Sequence, residues 1–222
     1  MRARATLAAL LITLLPAPAA ATARTTELRL LAAVAAPVVV DRTPHRLRLA
    51  QHYVQVARPA EALAVLDRAL ADRAELRGSA QFLSLRGRAL VQQGRHAEAL
   101  ADLAQPVLAA DAALAAWRAY ALERCNRPRA ALAALKASAP ALAGMQADAQ
   151  AAFLLAGVRA AVRLDRPATA HRLLTAVRPD APKLAGEAHY WRGVAAGRLG
   201  RPGEAKGWYR RAAQGGNPAA RQ

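Results

Sequence analysis

The chain has 222 residues, a formal charge of +17 and one cysteine, Cys125. These numbers exclude an intramolecular disulfide framework and a thiolate metal centre, and the charge favours anionic partners. Only three of the 32 basic residues are Lys (Lys136, Lys183 and Lys206), so part of the charge reflects a general preference for Arg that accompanies the abundance of Ala.

The first segment has the layout of a secretory signal peptide. Arg2 and Arg4 precede an apolar run from Ala5 to Leu15, Pro16 and Pro18 end it, and Ala21-Thr22-Ala23 is a small-residue exit. A membrane span needs roughly 20 consecutive apolar residues, and this run stops at Pro16 after eleven. Residues 1–23 are therefore expected to be removed, leaving a mature chain that starts at Arg24 with a formal charge of +15, the starting +17 less Arg2 and Arg4. Arg interrupts the later apolar stretches, so no transmembrane span is expected after cleavage. Export, with the periplasm as destination, argues against a nucleic-acid partner.

Residues 24–44 form an N-terminal cap or a tether. Glu27 to Ala36 has the composition of a helix ended by Pro37, and Val38-Val39-Val40 is β-branched and extended in character.

From there on the chain repeats. Five times a Pro or His that follows Arg stands three residues before an Ala: Arg58-Pro59 with Ala62, Arg95-His96 with Ala99, Arg127-Pro128 with Ala131, Arg166-Pro167 with Ala170, and Arg201-Pro202 with Ala205. The Ala-to-Ala steps are 37, 32, 39 and 35 residues, a period that belongs to stacked repeats. Apolar residues recur at helical spacing on both sides of the turns, as in Leu47, Leu49, Tyr53, Val54 and Val56 before the first and Ala62, Leu63, Leu66, Ala69 and Leu70 after it. The unit is a helix hairpin, and the chain is all-α.

The turn has a mechanism. The residues before Arg are Ala57, Gly94, Asn126, Asp165 and Gly200; four of the five tolerate the left-handed conformation that ends a helix. Pro suits the first position of the next helix, where its missing N–H leaves no bond unmade. The Ala that follows fits a close helix crossing. A longer link from Ala137 to Ala149, with Pro140 and Gly144, separates the third unit from the fourth.

Little here points to catalysis. The histidines at 45, 52, 96, 171 and 189 lie far apart, and no metal-binding spacing, nucleophile elbow or phosphate loop occurs. Glu61, Glu98 and Glu204 fall early in second helices, where they favour the positive helix end. Cys125 aligns with Val56, Leu164 and Leu199, which marks a packing position. No cofactor, metal or enzymatic activity is expected.

The units resemble the tetratricopeptide repeat family, whose pattern combines W-x2-L-G-x2-Y, A-x3-F and a following P. The first half appears as Arg46-x2-Leu49-Ala50-x2-Tyr53, Leu83-x2-Arg86-Gly87-x2-Leu90, Ala115-x2-Arg118-Ala119-x2-Leu122, Leu154-x2-Gly157-Val158-x2-Ala161 and His189-x2-Arg192-Gly193-x2-Ala196. The second half appears as Ala62-x3-Leu66, Ala99-x3-Leu103, Ala131-x3-Leu135, Ala170-x3-Leu174 and Ala205-x3-Tyr209. The family's leading Trp is missing throughout. Gly203 to Pro218 is also similar to Sel1-like repeats and to the helical repeats that precede the catalytic domain of periplasmic lytic transglycosylases, and the earlier repeats look like those of exported proteobacterial members. The resemblance implies a right-handed α-solenoid of about five hairpins over residues 45–218, with 219–222 as a tail.

It further implies a concave groove lined by the first helix of each hairpin. The groove positions map to Trp117, Tyr120 and Arg124 in the third repeat, Arg159 and Arg163 in the fourth, and Tyr190, Trp191 and Arg198 in the fifth. Aromatic and cationic groups in that mix suit an extended, acidic peptide, although Trp117 and Trp191 are equally readable as inter-repeat core. The expected function is a noncatalytic periplasmic scaffold or adaptor for extended segments of envelope proteins. The alternative is a basic module that binds peptidoglycan or another anionic envelope polymer, accessory to a lytic transglycosylase.

Overall fold

The computed structural model describes residues 17–35, 41–178 and 181–215. The run Ala5–Leu15, the extended segment Val38–Val40 and the tail 219–222 lie outside the described residues. The chain divides into two compact units, Met1–Ala110 and Asp111–Gln222. Both are built of helices, and no strand occurs among the described residues.

In the first unit α1 (Ala17–Ala35), α2 (Thr43–Gln55), α3 (Pro59–Asp72), α4 (Ala80–Gln92) and α5 (His96–Leu103) follow one another. α2 pairs with α3 and α4 with α5, while α4 also packs against α3 and α2, and α1 lies on α2. Glu27 of α1 accepts hydrogen bonds from the Tyr53 hydroxyl at 3.1 Å and from Arg58 at 2.7 Å. α1 begins ten residues earlier than the expected Glu27 start, since the Ala-rich stretch upstream has high helix propensity. The expected cleavage point after Ala23 thus falls inside this helix.

The second unit contains α6 (Ala112–Arg124), α7 (Pro128–Ala137), the short α8 (Ala139–Leu142), α9 (Ala147–Arg163), α10 (Pro167–Thr175), α11 (Ala185–Arg198) and α12 (Pro202–Gln214). Three hairpins, α6–α7, α9–α10 and α11–α12, stack so that α9 touches α6 and α7 on one side and α11 on the other. α9 forms the centre, and every residue from Gln150 to Val162 is buried. α8 fills the long link expected between the third and fourth repeats.

All five turns share one geometry. Ala57, Gly94, Asn126, Asp165 and Gly200 have φ of 55°, 81°, 58°, 52° and 73°. The N–H of the following Arg donates to the carbonyl five residues back, namely Tyr53, Leu90, Leu122, Ala161 and Ala196, at 2.8–2.9 Å. The N–H of the left-handed residue donates to the carbonyl three back, at 3.0–3.4 Å. This pair of bonds is the Schellman closure, which satisfies carbonyls that a helix end otherwise leaves open. Each Arg carbonyl then accepts from the N–H of the repeated Ala at 3.0–3.1 Å and starts the second helix. Arg58, Arg95 and Arg201 also pair with Glu61, Glu98 and Glu204 three residues on. The turn Arg is therefore a helix-start ion pair in three of the five units.

The repeated alanines are buried, with Ala62, Ala99 and Ala170 fully so. In the second and the last hairpin the large residue four positions later packs where the first helix has no side chain. A Cβ on Gly87 would stand 2.7 Å from Leu103, and one on Gly193 would stand 2.6 Å from Tyr209, both closer than atoms can approach. Small residues at these crossings hold the two helices of a hairpin together.

Ala57 alone carries the left-handed conformation with a plain Cβ, at a cost of roughly 1–2 kcal/mol. Gly94→Ala, whose added methyl would meet nothing within 4 Å, is expected to lose about 1 kcal/mol of stability through the backbone alone. Ala57→Gly is expected to change stability in the opposite direction, by a smaller amount because Gly gains entropy in the unfolded chain. Urea unfolding of the two variants checks both signs.

Candidate functional site

In three hairpins the residue two positions before the left-handed turn reaches the preceding hairpin. In unit one it is Gln92, whose Nε2 donates to the Val54 carbonyl at 3.0 Å. In unit two it is Arg163, donating to the Glu123 carbonyl at 3.0 Å, and Arg198, donating to the Val162 carbonyl at 2.6 Å. The acceptor in each case is the residue three before the preceding turn, in the last turn of a first helix. A donor there meets an open lone pair at the negative end of the helix dipole. One rung therefore recurs along the array, made by Gln once and by Arg twice.

A buried ionic chain runs beside these rungs in the second unit. Glu123 on α6 is fully buried; its carboxylate lies 3.2 Å from Arg159 Nη2 and 3.0 Å from Arg163 Nη1. Arg159 on α9 is also buried, and its Nη1 reaches Glu187 Oε1 on α11 at 2.7 Å. The Trp191 indole N–H donates to that same oxygen at 3.2 Å. Burial alone would lower the Arg159 pKa, but Glu123 and Glu187 outweigh it and hold the group above its ordinary range. Three successive first helices are thus joined by charges that have little access to water.

Two aromatic clusters flank the chain. Trp117 and Tyr120 meet Phe153 edge-on, with centroids 5.2 Å and 6.4 Å apart. Tyr190 contacts Trp191 at 5.2 Å and Tyr209 at 5.9 Å. Burial raises the Tyr120 pKa against the pull of Arg159 and Arg124.

The tetratricopeptide repeat family model matches residues 47–115 and 155–220, together more than half of the chain. The chain belongs to the tetratricopeptide repeat family. No curated protein matches it. The stretch between the two matched segments contains α7 and α8, where the inserted turn lengthens the repeat.

In this tetratricopeptide repeat protein the eight residues expected to line the groove occupy three different environments. Tyr120 and Arg159 are buried, and Arg159 is ion-paired with two carboxylates. Trp117, Arg124, Tyr190 and Trp191 are half-buried. Arg163 and Arg198 keep 44% and 43% of their side-chain surface exposed while each spends one donor on a neighbouring carbonyl. The carboxylates Glu123 and Glu187 were not expected. Their signal was in the sequence, since each stands on a first helix within reach of an Arg on a neighbouring first helix, but the charge count weighed the cations and not their partners. Asp165, 3.2 Å from Arg198, completes the compensation.

One pair within a hairpin contrasts with these links between hairpins. Arg86 of α4 meets Asp102 of α5 at 3.2 Å. Burial raises the Asp102 pKa, Arg86 opposes the shift and Glu98 adds to it.

Removing one partner of a buried pair leaves the other charge uncompensated, which typically costs 3–5 kcal/mol. Glu123→Ala is expected to destabilise the protein by about 3 kcal/mol, with the loss visible in thermal or urea unfolding. Asp102 has the opposite sign. Its folded pKa is raised, so the ionised form is disfavoured above that pKa and the penalty fades as pH falls through it. Asp102→Asn is therefore expected to leave stability at pH 7 unchanged or higher, since Arg86 can turn to solvent, and unfolding midpoints from pH 3 to pH 7 check this.

Proposed function

We propose that the protein is a noncatalytic scaffold that holds extended segments of envelope proteins against the face of its first helices, and that it works in the periplasm after removal of residues 1–23. Tetratricopeptide repeats serve protein interaction, and the observation that carries the rest of this reading is the state of Arg163 and Arg198. Each is fixed through its Nη1, which meets a carbonyl and a carboxylate of the preceding hairpin, so its guanidinium is held in place while its other nitrogens face a ligand. Such preorganisation lowers the entropy lost on binding. The half-buried Trp117 and Trp191 supply flat apolar surface beside them, with polar edges that suit peptide backbone.

The acidic character of the ligand is weaker than the charge count suggests. On this face Arg124, Arg159, Arg163 and Arg198 stand against Glu123, Glu187 and Asp165, so most of the positive potential is compensated locally. Backbone carbonyls of an extended chain are ligands for the free guanidinium donors as good as side-chain carboxylates. Cleavage after Ala23 would leave Arg24–Ala35 of α1 in place, with Glu27 still bonded to Tyr53 and Arg58.

Two measurements test this. A photo-crosslinking side chain placed at Trp117 or Arg163 in cells is expected to yield adducts with a polypeptide, while one at Arg129 on α7 yields none; equal labelling from both positions contradicts the reading. Binding that carries no polypeptide adduct and collapses as salt rises would assign the face to an anionic envelope polymer. The N-terminus of the protein recovered from cells is expected to be Arg24, and recovery of intact Met1 would remove the periplasmic assignment.

A further inference from the structure

The last hairpin carries a second cluster of cations, and here no carboxylate among the described residues pairs with them. Trp208 on α12 has the guanidinium of Arg192 5.1 Å from its ring centroid and that of Arg211 at 4.8 Å, and His189 stacks on it with centroids 5.5 Å apart. Arg192 donates to the Leu174 carbonyl at 3.1 Å. The one nearby carboxylate, Glu204, accepts from the Trp208 indole N–H at 3.3 Å. Among the described residues neither Arg192 nor Arg211 has a carboxylate partner. Burial and then Arg211 lower the pKa of Arg192, and burial, Arg192 and Arg211 lower that of His189. Burial and the mutual repulsion of the cations push protons away from the cluster's own members, and no carboxylate among the described residues offsets this.

The chain itself shows what fills the equivalent place. Arg192 stands eight residues before the left-handed Gly200, as Arg86 stands eight before Gly94. Trp208 stands three residues after the buried turn Ala205, as Asp102 stands three after Ala99. In the second hairpin Arg86 has the Asp102 carboxylate at 3.2 Å. In the last hairpin the same Arg has an indole where that carboxylate would be, and a second Arg joins it. At this station, where the second hairpin has a carboxylate and the others have Val65, Ala134 and Leu173, the last hairpin has an indole with two guanidiniums over its ring.

We propose that His189, Arg192, Trp208 and Arg211 bind a carboxylate carried by an acidic segment of a protein partner. Two guanidiniums on one ring can hold a carboxylate from two directions, and the indole gives apolar surface to the methylenes of an Asp or Glu side chain. The internal counterpart is a carboxylate, which favours that anion over a phosphate. This site is separate from the face of the first helices. At about 100° per residue, Glu187, Trp191 and Arg198 share one side of α11, and His189 and Arg192 lie about 150° around the helix from them.

The test uses the full chain and an acetylated, amidated octapeptide of alternating Asp and Glu, with the Asn and Gln octapeptide and inorganic phosphate as the other probes. Binding is followed by calorimetry at low ionic strength, and the His189 ring protons are titrated by NMR with and without the acidic peptide. The acidic peptide is expected to bind and to raise the His189 midpoint, because an anion between the arginines favours the imidazolium. Arg211→Gln, a change at an exposed position, is expected to weaken binding at least about fivefold with no change in melting. Arg163→Gln, on the face of the first helices, is expected to leave it unaltered. The proposal is overturned if the neutral peptide binds equally, if phosphate binds as tightly as the acidic peptide, if the His189 midpoint does not move, or if Arg211→Gln has no effect. Loss of binding in Arg163→Gln alone would place the peptide on the first-helix face, which overturns this site and leaves the proposed function standing.

Discussion

The left-handed residue that closes each first helix is the constraint on which the rest depends. It reverses the chain within a few residues, satisfies two open carbonyls through the Schellman bonds, and fixes where the second helix begins. It also sets the phase of the first helix that it ends. Residues counted back from the turn therefore recur in space, which is why Gln92, Arg163 and Arg198 all reach a carbonyl at the same station of the preceding hairpin. A side-chain rung of this kind needs no particular residue, only a donor long enough to cross, and so both Gln and Arg serve in it.

Energetically the two kinds of link do different work. Apolar burial, concentrated on α9 and on the alanines and glycines at the hairpin crossings, supplies most of the driving force. The ionic chain Glu123–Arg159–Glu187 adds little net attraction, because removing three charges from water offsets much of their mutual gain. Its value lies in register. A hairpin displaced along its neighbour would separate buried charges, so the chain disfavours other arrangements more than it favours this one. The same logic explains the charge balance of the candidate face, where most guanidiniums are committed to neighbouring repeats and only Arg163 and Arg198 combine a fixed position with free donors.

The fold was largely legible in the sequence because its determinants are local. The four Arg-Pro turns and the Arg-His turn, the residues before them and the trailing alanines mark helix ends through short-range chemistry, and all five turns are found as expected. Ala57 shows that even the unfavourable residue adopts the left-handed turn when the rest of the repeat demands it. The candidate face was legible in part. Its positions follow from helical phase, but whether an Arg there is a ligand group or a strut depends on a carboxylate about forty residues away, as with Arg163 and Glu123, and local pattern does not show that pairing. The Trp208 cluster was missed for a related reason. It becomes visible only when the last hairpin is compared with the second, where a carboxylate stands at the place of the indole.

The most direct test of the account is a double-mutant cycle on Arg159 and Glu187, with Arg159→Met and Glu187→Leu measured singly and together by urea unfolding. If the first helices are joined by buried charge pairs, Arg159→Met leaves Glu187 uncompensated, Glu187→Leu leaves Arg159 with Glu123 alone, and the double change restores part of the loss, giving a coupling energy of about 1 kcal/mol or more. Additive losses, with no coupling across α9 and α11, would contradict it.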